Sequence, residues 1–401
     1  MIELEEAVER ILGALAAPQA ERMPLIEAHG RILAQPVTAT VALPSFDNSA
    51  VDGYAIRAED LKDAGASNPV PLRLIGRVAA GETFAGEIVP GTCVRLFTGS
   101  PLPRGANGVA MQEDTRTNPT EPAVVSFLDA VKPWENVRFQ GEDIKPGAVI
   151  GNRGDALNAG RLSLFAASGT TEVVVARQPI VGLLATGSEL LEPGQQLAPG
   201  KIFESNRLGL AALALNAGAV PKTFPLVKDT LEDTRAALEK TFAECDFVVT
   251  SGGVSVGEMD FIKSAFEAIG GKLEFWKVAI RPGRPFVFGQ YREKFLFGLP
   301  GNPVSAFVTF LLLVWPAIKR FQGASNTLLP AHPGTLAEPL SNAGNRRHFV
   351  RVIVDAEGRV RSAGIQNSHV LSSLAAANGL LDMPPQTNLP AGAAVRVMRW
   401  E

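Results

Sequence analysis

Leu4, Val8, Ile11, Leu12 and Leu15 recur at helical spacing, which predicts an amphipathic helix over residues 3–17. From about residue 36 to 176 the texture changes. Short Val, Ile and Leu runs are broken by Gly81-Glu-Thr, Val89-Pro-Gly, Pro101-Leu-Pro and Lys145-Pro-Gly, a pattern of short strands joined by turns. A helical pattern interrupts it once, over 158–168.

From about 178 to 322 apolar runs alternate with helical periods. Strands are predicted at 180–184, 220–224, 247–249 and 273–280, and helices at 207–217, 231–242 and 261–269. A hairpin follows around Gln290-Tyr-Arg-Glu, and a long apolar helix at 303–321 closes the unit. Such alternation implies a mostly parallel sheet covered on both faces. Ligands of these sheets bind beyond the C-terminal strand ends. A Gly/Pro/Asn-rich bridge at 330–344 leads to a last β-rich unit, with strands at 349–354, 360–363 and 394–398. The expected class is therefore α/β plus β, in a multidomain chain.

A chain of 401 residues is too long for one core, and two to four domains are expected. A hydrophobic share of 46% with 20% charged residues is that of an ordinary soluble protein. The net charge of −3 argues against a non-specific nucleic-acid binder. The start, Met1-Ile-Glu-Leu-Glu-Glu, lacks the basic and apolar regions of a secretory signal. The apolar stretch at 306–318, interrupted by Thr309 and Pro316, is shorter than a membrane span requires. These features predict a cytoplasmic protein without a membrane segment. Cys93 and Cys245 sit in apolar contexts and are expected as buried free thiols.

Three loops fall at strand ends: Thr186-Gly-Ser-Glu-Leu, the segment 250–260, and Leu299-Pro-Gly-Asn-Pro. Each alone is turn chemistry. Three at one sheet edge make an anion cradle the better reading, with Ser251, Gly252, Gly253 and Ser255 in one loop and Pro300, Gly301, Asn302 and Pro303 in another. Asp229 and Asp260 both precede helices. Asp229, with Glu232 three residues on, has the spacing of a capping box, and Asp260 that of a simple N-cap. Facing one cleft beside Glu189, the two would instead offer oxygens to a hard cation. Neither HExxH nor a CxxC pair occurs, and His29, His332, His348 and His369 are scattered, so a zinc site is not expected. A strand unbroken to Arg281 would place Lys277 and Arg281 on one face, with Arg284 close by. That cluster suits phosphates, or it merely protects a sheet edge.

In order along nearly the whole chain stand Ser45-Phe-Asp-Asn-Ser-Ala-Val-Asp-Gly-Tyr-Ala, Phe97-Thr-Gly-Ser-Pro, Gly141-Glu-Asp-Ile, Thr186-Gly-Ser-Glu-Leu, Ser251-Gly-Gly-Val-Ser-Val-Gly-Glu, Ile280-Arg-Pro-Gly-Arg-Pro and Leu299-Pro-Gly-Asn-Pro. Together they resemble the MoeA family of molybdopterin molybdotransferases, which includes the gephyrin E domain. Adenylyltransferases of the same pathway and CinA-like proteins share the α/β loops. The run ending in Asp52-Gly-Tyr singles out the transferase.

The resemblance implies a three-layer α/β domain (MogA/MoaB-like) built from 1–26 and 178–326. It also implies a β-rich domain at 45–136, a discontinuous linking domain at 27–44 and 137–177, and a C-terminal β-barrel-like domain at 327–401. Two subunits would form an elongated homodimer. The implied substrates are adenylated molybdopterin and molybdate, with AMP released and a divalent cation, usually Mg²⁺, taking part. The pathway adenylyltransferase and molybdoenzymes are implied partners. The site would lie between the α/β domain and the domain carrying Asp52, of the same or the partner subunit, with Thr98 and Asp143 completing it and Glu189, Asp229 and Asp260 positioning metal or water. Lys277, Arg281, Arg284, Arg346 and Ser372 would hold anionic groups. Arg281 and Arg284 replace lysines common in the family. His348 stands where an acidic residue is usual, leaving the register between Arg346 and Arg347 open. The alternatives are an adenylyltransferase or CinA-like hydrolase, and a gephyrin-like scaffold without catalysis.

Overall fold

A computed structural model of the protein describes residues 1–254 and 261–400. The Leu4–Ala14 helix buries Leu4, Ala7 and Ile11 and packs against the Trp315–Phe321 helix, so the N-terminus joins the α/β core. The chain then leaves that core. Ala20–Pro24 pairs antiparallel with Glu172–Ala176, and Val37–Thr38 with Val149–Gly151. These pairings make a small unit from two distant segments. The Ala159–Ala167 helix in this unit starts where Asn158 Oδ1 accepts the Arg161 N–H at 2.9 Å. Between the two segments lies a six-stranded sheet in the order Gly108–Met111, Gly53–Ile56, Thr92–Leu96, Val70–Val78, Glu121–Phe127 and Thr115–Asn118.

The α/β unit holds a six-stranded sheet ordered Val220–Thr223, Ile180–Ala185, Phe247–Ser251, Lys294–Leu299, Val287–Tyr291 and Lys272–Trp276. The first four run parallel; Val287–Tyr291 pairs antiparallel with Lys294–Leu299, and Lys272–Trp276 pairs antiparallel with Val287–Tyr291 at the edge. Phe247–Ser251 is buried throughout, as its unbroken apolar start requires of a central strand. Across residues 303–321 the helix widens to a π turn at Phe310–Val314, just before Pro316. Proline lacks an N–H and clashes with the preceding turn, which a wider turn relieves. This helix is long and apolar enough to cross a membrane, but 78% of its apolar window is buried inside the protein.

The predicted strand at 273–280 is corrected. It stops at Trp276, where Lys277 takes φ +80°, outside the range of an extended strand. Ile280–Arg281 then leaves the α/β sheet and pairs in parallel with Arg347 and His348 of the C-terminal unit. Lys277 and Arg281 therefore do not alternate along one strand. The C-terminal unit closes as a ring: Arg347–Val354, Arg359–Ser362, Ala331–Leu336, Ala394–Met398 and Gly379–Met383, which pairs back with the first. Cys93 and Cys245 are free and buried, and burial pushes their thiols up to about 12 and about 11.

Candidate functional site

The ends of Ile180–Ala185, Phe247–Ser251 and Lys294–Leu299 open into a cleft of about 770 Å³. Its walls include Thr186, Glu189, Asp229, Ser251, Gly252, Gly253 and Pro300, Gly301, Asn302, Pro303. The three strand-end loops thus meet at one place. They are stitched through backbone: Thr186 N–H donates to Ser251 O at 3.2 Å, and Gly252 N–H to Leu299 O at 3.1 Å. Gly252 has φ +91°, and a Cβ there would lie 2.6 Å from Thr186 O. Only glycine tolerates that approach. Thr186 Oγ1, Thr250 Oγ1 and Ser251 Oγ are buried here with no hydrogen-bond partner among the described residues. Ser255 and Asp260 lie outside the described residues.

Asp229 does not cap the helix that follows it. Thr230 does: its Oγ1 accepts the Asp233 N–H at 3.1 Å and donates to Asp233 Oδ2 at 2.8 Å, so the cap is Thr230 and no box forms from Asp229 with Glu232. Asp229 Oδ2 instead accepts the Ser188 N–H at 2.8 Å, which draws its carboxylate to the loop carrying Glu189. Among the described residues no group of three His, Cys, Asp or Glu forms a ready metal cage. Glu189 and Asp229 nevertheless share the cleft.

The second wall comes from the C-terminal unit, through His369 and Leu371. Neither was singled out from sequence. A buried arginine explains their position: Arg351 Nε donates to Ser373 Oγ at 3.0 Å, and Nη2 donates to the carbonyls of Ile365 at 2.7 Å and Asn367 at 3.2 Å. Val304, in the first turn after the Pro300 loop, donates its N–H to Ser368 O at 3.2 Å. Together these bonds hold the 365–373 loop over the cleft. Ser373 is spent on Arg351 and buried, whereas Ser372 is exposed.

Arg281 and Arg284 are exposed, and Arg284 precedes Pro285 of the cleft wall. Arg346 Nη1 donates to Ile280 O at 3.0 Å. Burial lowers the Arg346 pKa, and the positive charges of Arg284 and Arg281 lower it further. None of the three forms an ion pair among the described residues, which leaves a concentrated positive charge. Arg347 differs: Asp382 and Glu5 engage it, hydrogen bonding to Asp382 raises its pKa, and Nε lies 3.1 Å from Asp382 Oδ1. Lys277 is outside the cleft lining. Its backbone is held by Phe286 O and Ile2 N, and its Nζ lies 5.0 Å from the Trp276 ring centre.

Asp52 and Thr98 form a pair. Asp52 Oδ1 accepts the Thr98 N–H at 2.7 Å and its hydroxyl at 2.8 Å, and these bonds, the backbone one foremost, hold the Asp52 carboxyl below its ordinary pKa. No residue of 45–136 is among the described residues lining the cleft. Asp143, whose N–H donates to Leu43 O at 3.0 Å, is likewise outside it. Within one chain the cleft therefore lies between the α/β and C-terminal units, not beside Asp52.

The MoeA N-terminal region (domain I and II) matches residues 2–169, a probable molybdopterin binding domain 182–320, and the MoeA C-terminal region (domain IV) 333–400. A molybdopterin molybdenumtransferase of Haemophilus influenzae is 38% identical, over 99% of this chain and 98% of its own length. The chain belongs to the MoeA family. A second relative with the same name, from Bacillus subtilis, is 34% identical over 99% of this chain and 94% of its own. The crystal structure of a molybdopterin biosynthesis MoeA protein from Pyrococcus horikoshii superposes with a TM-score of 0.85 at 32% identity, covering both chains fully. This MoeA fold accounts for the α/β unit and both β-rich parts.

Proposed function

We propose that this chain is a molybdopterin molybdenumtransferase that takes adenylated molybdopterin and molybdate, transfers molybdenum to the dithiolene sulfurs and releases AMP. The observation that carries this reading is the convergence of three strand-end loops with Glu189 and Asp229 on one cleft, whose Pro285 wall directly follows Arg284 in the chain. A free-standing adenylyltransferase or CinA-like hydrolase needs only the α/β unit. Here the family match continues over 2–169 and 333–400 on either side. A scaffold without catalysis would have no need of Asp52, Asp143, Glu189, Asp229 and Asp260, all of which stand in the chain.

The residues divide the work. Backbone around Gly252, Gly253 and Gly301 approaches the phosphates closely, with Ser251, Ser255 and Asn302 as hydrogen-bonding groups beside them and Pro300 and Pro303 fixing the turn. Arg281, Arg284 and Arg346 attract molybdate and the phosphoryl oxygens, and Ser372 and Lys277, neither of which lines the cleft, are assigned as further binding groups. An oxygen nucleophile then adds at phosphorus while the bridging P–O bond to AMP breaks. Asp229, Glu189 and Asp260 orient that nucleophile and accept its proton.

The donor set fits a hard divalent cation. Glu189 and Asp229 both line the cleft, and Asp229 spends only Oδ2 on Ser188. They and Asp260 would hold Mg²⁺, which when bound supplies charge neutralisation at the phosphates. Asp52, Thr98 and Asp143 do not reach this cleft within one chain. A homodimer in the cytoplasm, with a second copy lending that face, would complete the site. Handover from an adenylyltransferase and onward to molybdoenzymes completes the proposed setting. Expression in a strain lacking its own transferase should restore molybdoenzyme activity; no restoration by folded, soluble protein would count against the reading.

A further inference from the structure

One wall of the cleft is apolar and does no work for the fold. Leu190–Leu191 and Ile202–Phe203 pair as a short two-stranded flap beside the three loops. Ile202 remains 56% exposed and Phe203 44%, although both line the cleft. Phe203 is the only Phe, Tyr or Trp among the described residues of that lining. An aromatic ring left this open contributes little burial energy, so its place is not explained by the core.

The flap is nonetheless fixed. Glu204, next to Phe203, is buried and accepts the N–H groups of Asn206 at 2.6 Å and Arg207 at 2.9 Å, capping the Asn206–Asn216 helix. Its other oxygen takes Arg207 Nε at 2.9 Å. Arg207, itself buried, reaches back with Nη2 to both oxygens of Glu192 at 2.8 and 2.7 Å. One arginine thus clamps the residue after each flap strand. Phe203 is held at the rim as a preorganised flat surface, and Leu190 and Ile202 widen it.

We infer that Phe203 is a stacking platform for the planar heteroaromatic ring of the substrate, whose anionic groups reach the Gly252 and Gly301 loops. This deepens the reading given under Proposed function and rests on it. The ring in contact is either adenine or pterin. Both offer the flat, polarisable face that stacks on an aromatic side chain.

The test uses the full-length chain and its Phe203→Ala and Phe203→Tyr variants, with turnover and direct calorimetric binding of AMP and of a pterin. Phe203→Ala should raise KM for adenylated molybdopterin about 5- to 100-fold, the range of one lost stacking contact, with kcat within about twofold. Phe203→Tyr should restore it. Weakened AMP binding in Phe203→Ala identifies adenine as the stacked ring, and weakened pterin binding identifies pterin. Unchanged affinity for both, equal losses in the Ala and Tyr variants, or no binding of either ligand to the unaltered chain overturns the inference. Absent turnover with Phe203-dependent binding retained would overturn the proposed reaction and leave the platform standing.

Discussion

Asp229 Oδ2 accepts the backbone N–H of Ser188 at 2.8 Å, while the helix that Asp229 precedes is capped by its neighbour Thr230. Two adjacent residues with similar capping ability thus do different jobs. Thr230→Ala should destabilise the protein by about 1 kcal/mol, the cost of a lost N-cap, and leave turnover near its original value. Asp229→Ala should do the reverse, lowering kcat on the order of 100-fold with little change in stability. Asp229→Asn separates charge from loop positioning because it keeps an acceptor for Ser188. Activity as low as in Asp229→Ala would assign the role to the charge, and full activity would reduce Asp229 to a loop support. Denaturation curves and steady-state rates on the three variants decide it.

Arg346 and Arg347 are adjacent and equally basic, but Asp382 and Glu5 occupy only Arg347. Arg346→Ala should raise KM for molybdate on the order of 10- to 100-fold, as expected when a charged hydrogen bond to an oxyanion is lost. Its thermal stability should hold. Arg347→Ala should cost stability on the order of 1 kcal/mol, because the pair is about a quarter exposed and screened by water, and should leave molybdate KM unchanged. A reversed pattern would assign anion binding to Arg347.

His348 is buried, and both its ring nitrogens lack a hydrogen-bond partner among the described residues. Burial, with the positive charges of Arg281 and Arg351, pushes its pKa down to about 4. The unfolded chain, with an ordinary histidine near 6.5, binds the proton first. Stability is therefore intact above about pH 6.5 and falls as pH drops toward 4, by on the order of 3 kcal/mol. His348→Phe should flatten that part of the stability–pH profile, measured by urea denaturation between pH 7 and 4. An equally steep profile in the variant would place the acid sensitivity elsewhere.

The parallel core strands were readable because burial on both faces leaves an uninterrupted apolar run, as in Phe247-Val-Val. The strand break at Lys277 was not. Its apolar alternation runs on to Ile280, and the φ of +80° is supported by Phe286 and Ile2, remote in sequence. The helix cap at 229–233 is ambiguous in the sequence for a similar reason. Asp229 with Glu232 and Thr230 with Asp233 share the same spacing, and only Ser188, 41 residues earlier, separates them. His369 carries no local signal. It reaches the cleft because Arg351, on a barrel strand, gathers the loop that bears it. Phe203 carries no signal in the sequence, since exposure cannot be read from composition.

The proposed reaction brings molybdate and adenylated molybdopterin together in this cleft. The most direct measurement is AMP release by the purified full-length chain with adenylated molybdopterin and Mg²⁺, with and without molybdate. AMP release stimulated by molybdate is expected, with its loss in Arg346→Ala at low molybdate. AMP release at the same rate with and without molybdate, or none from correctly folded protein, would contradict it.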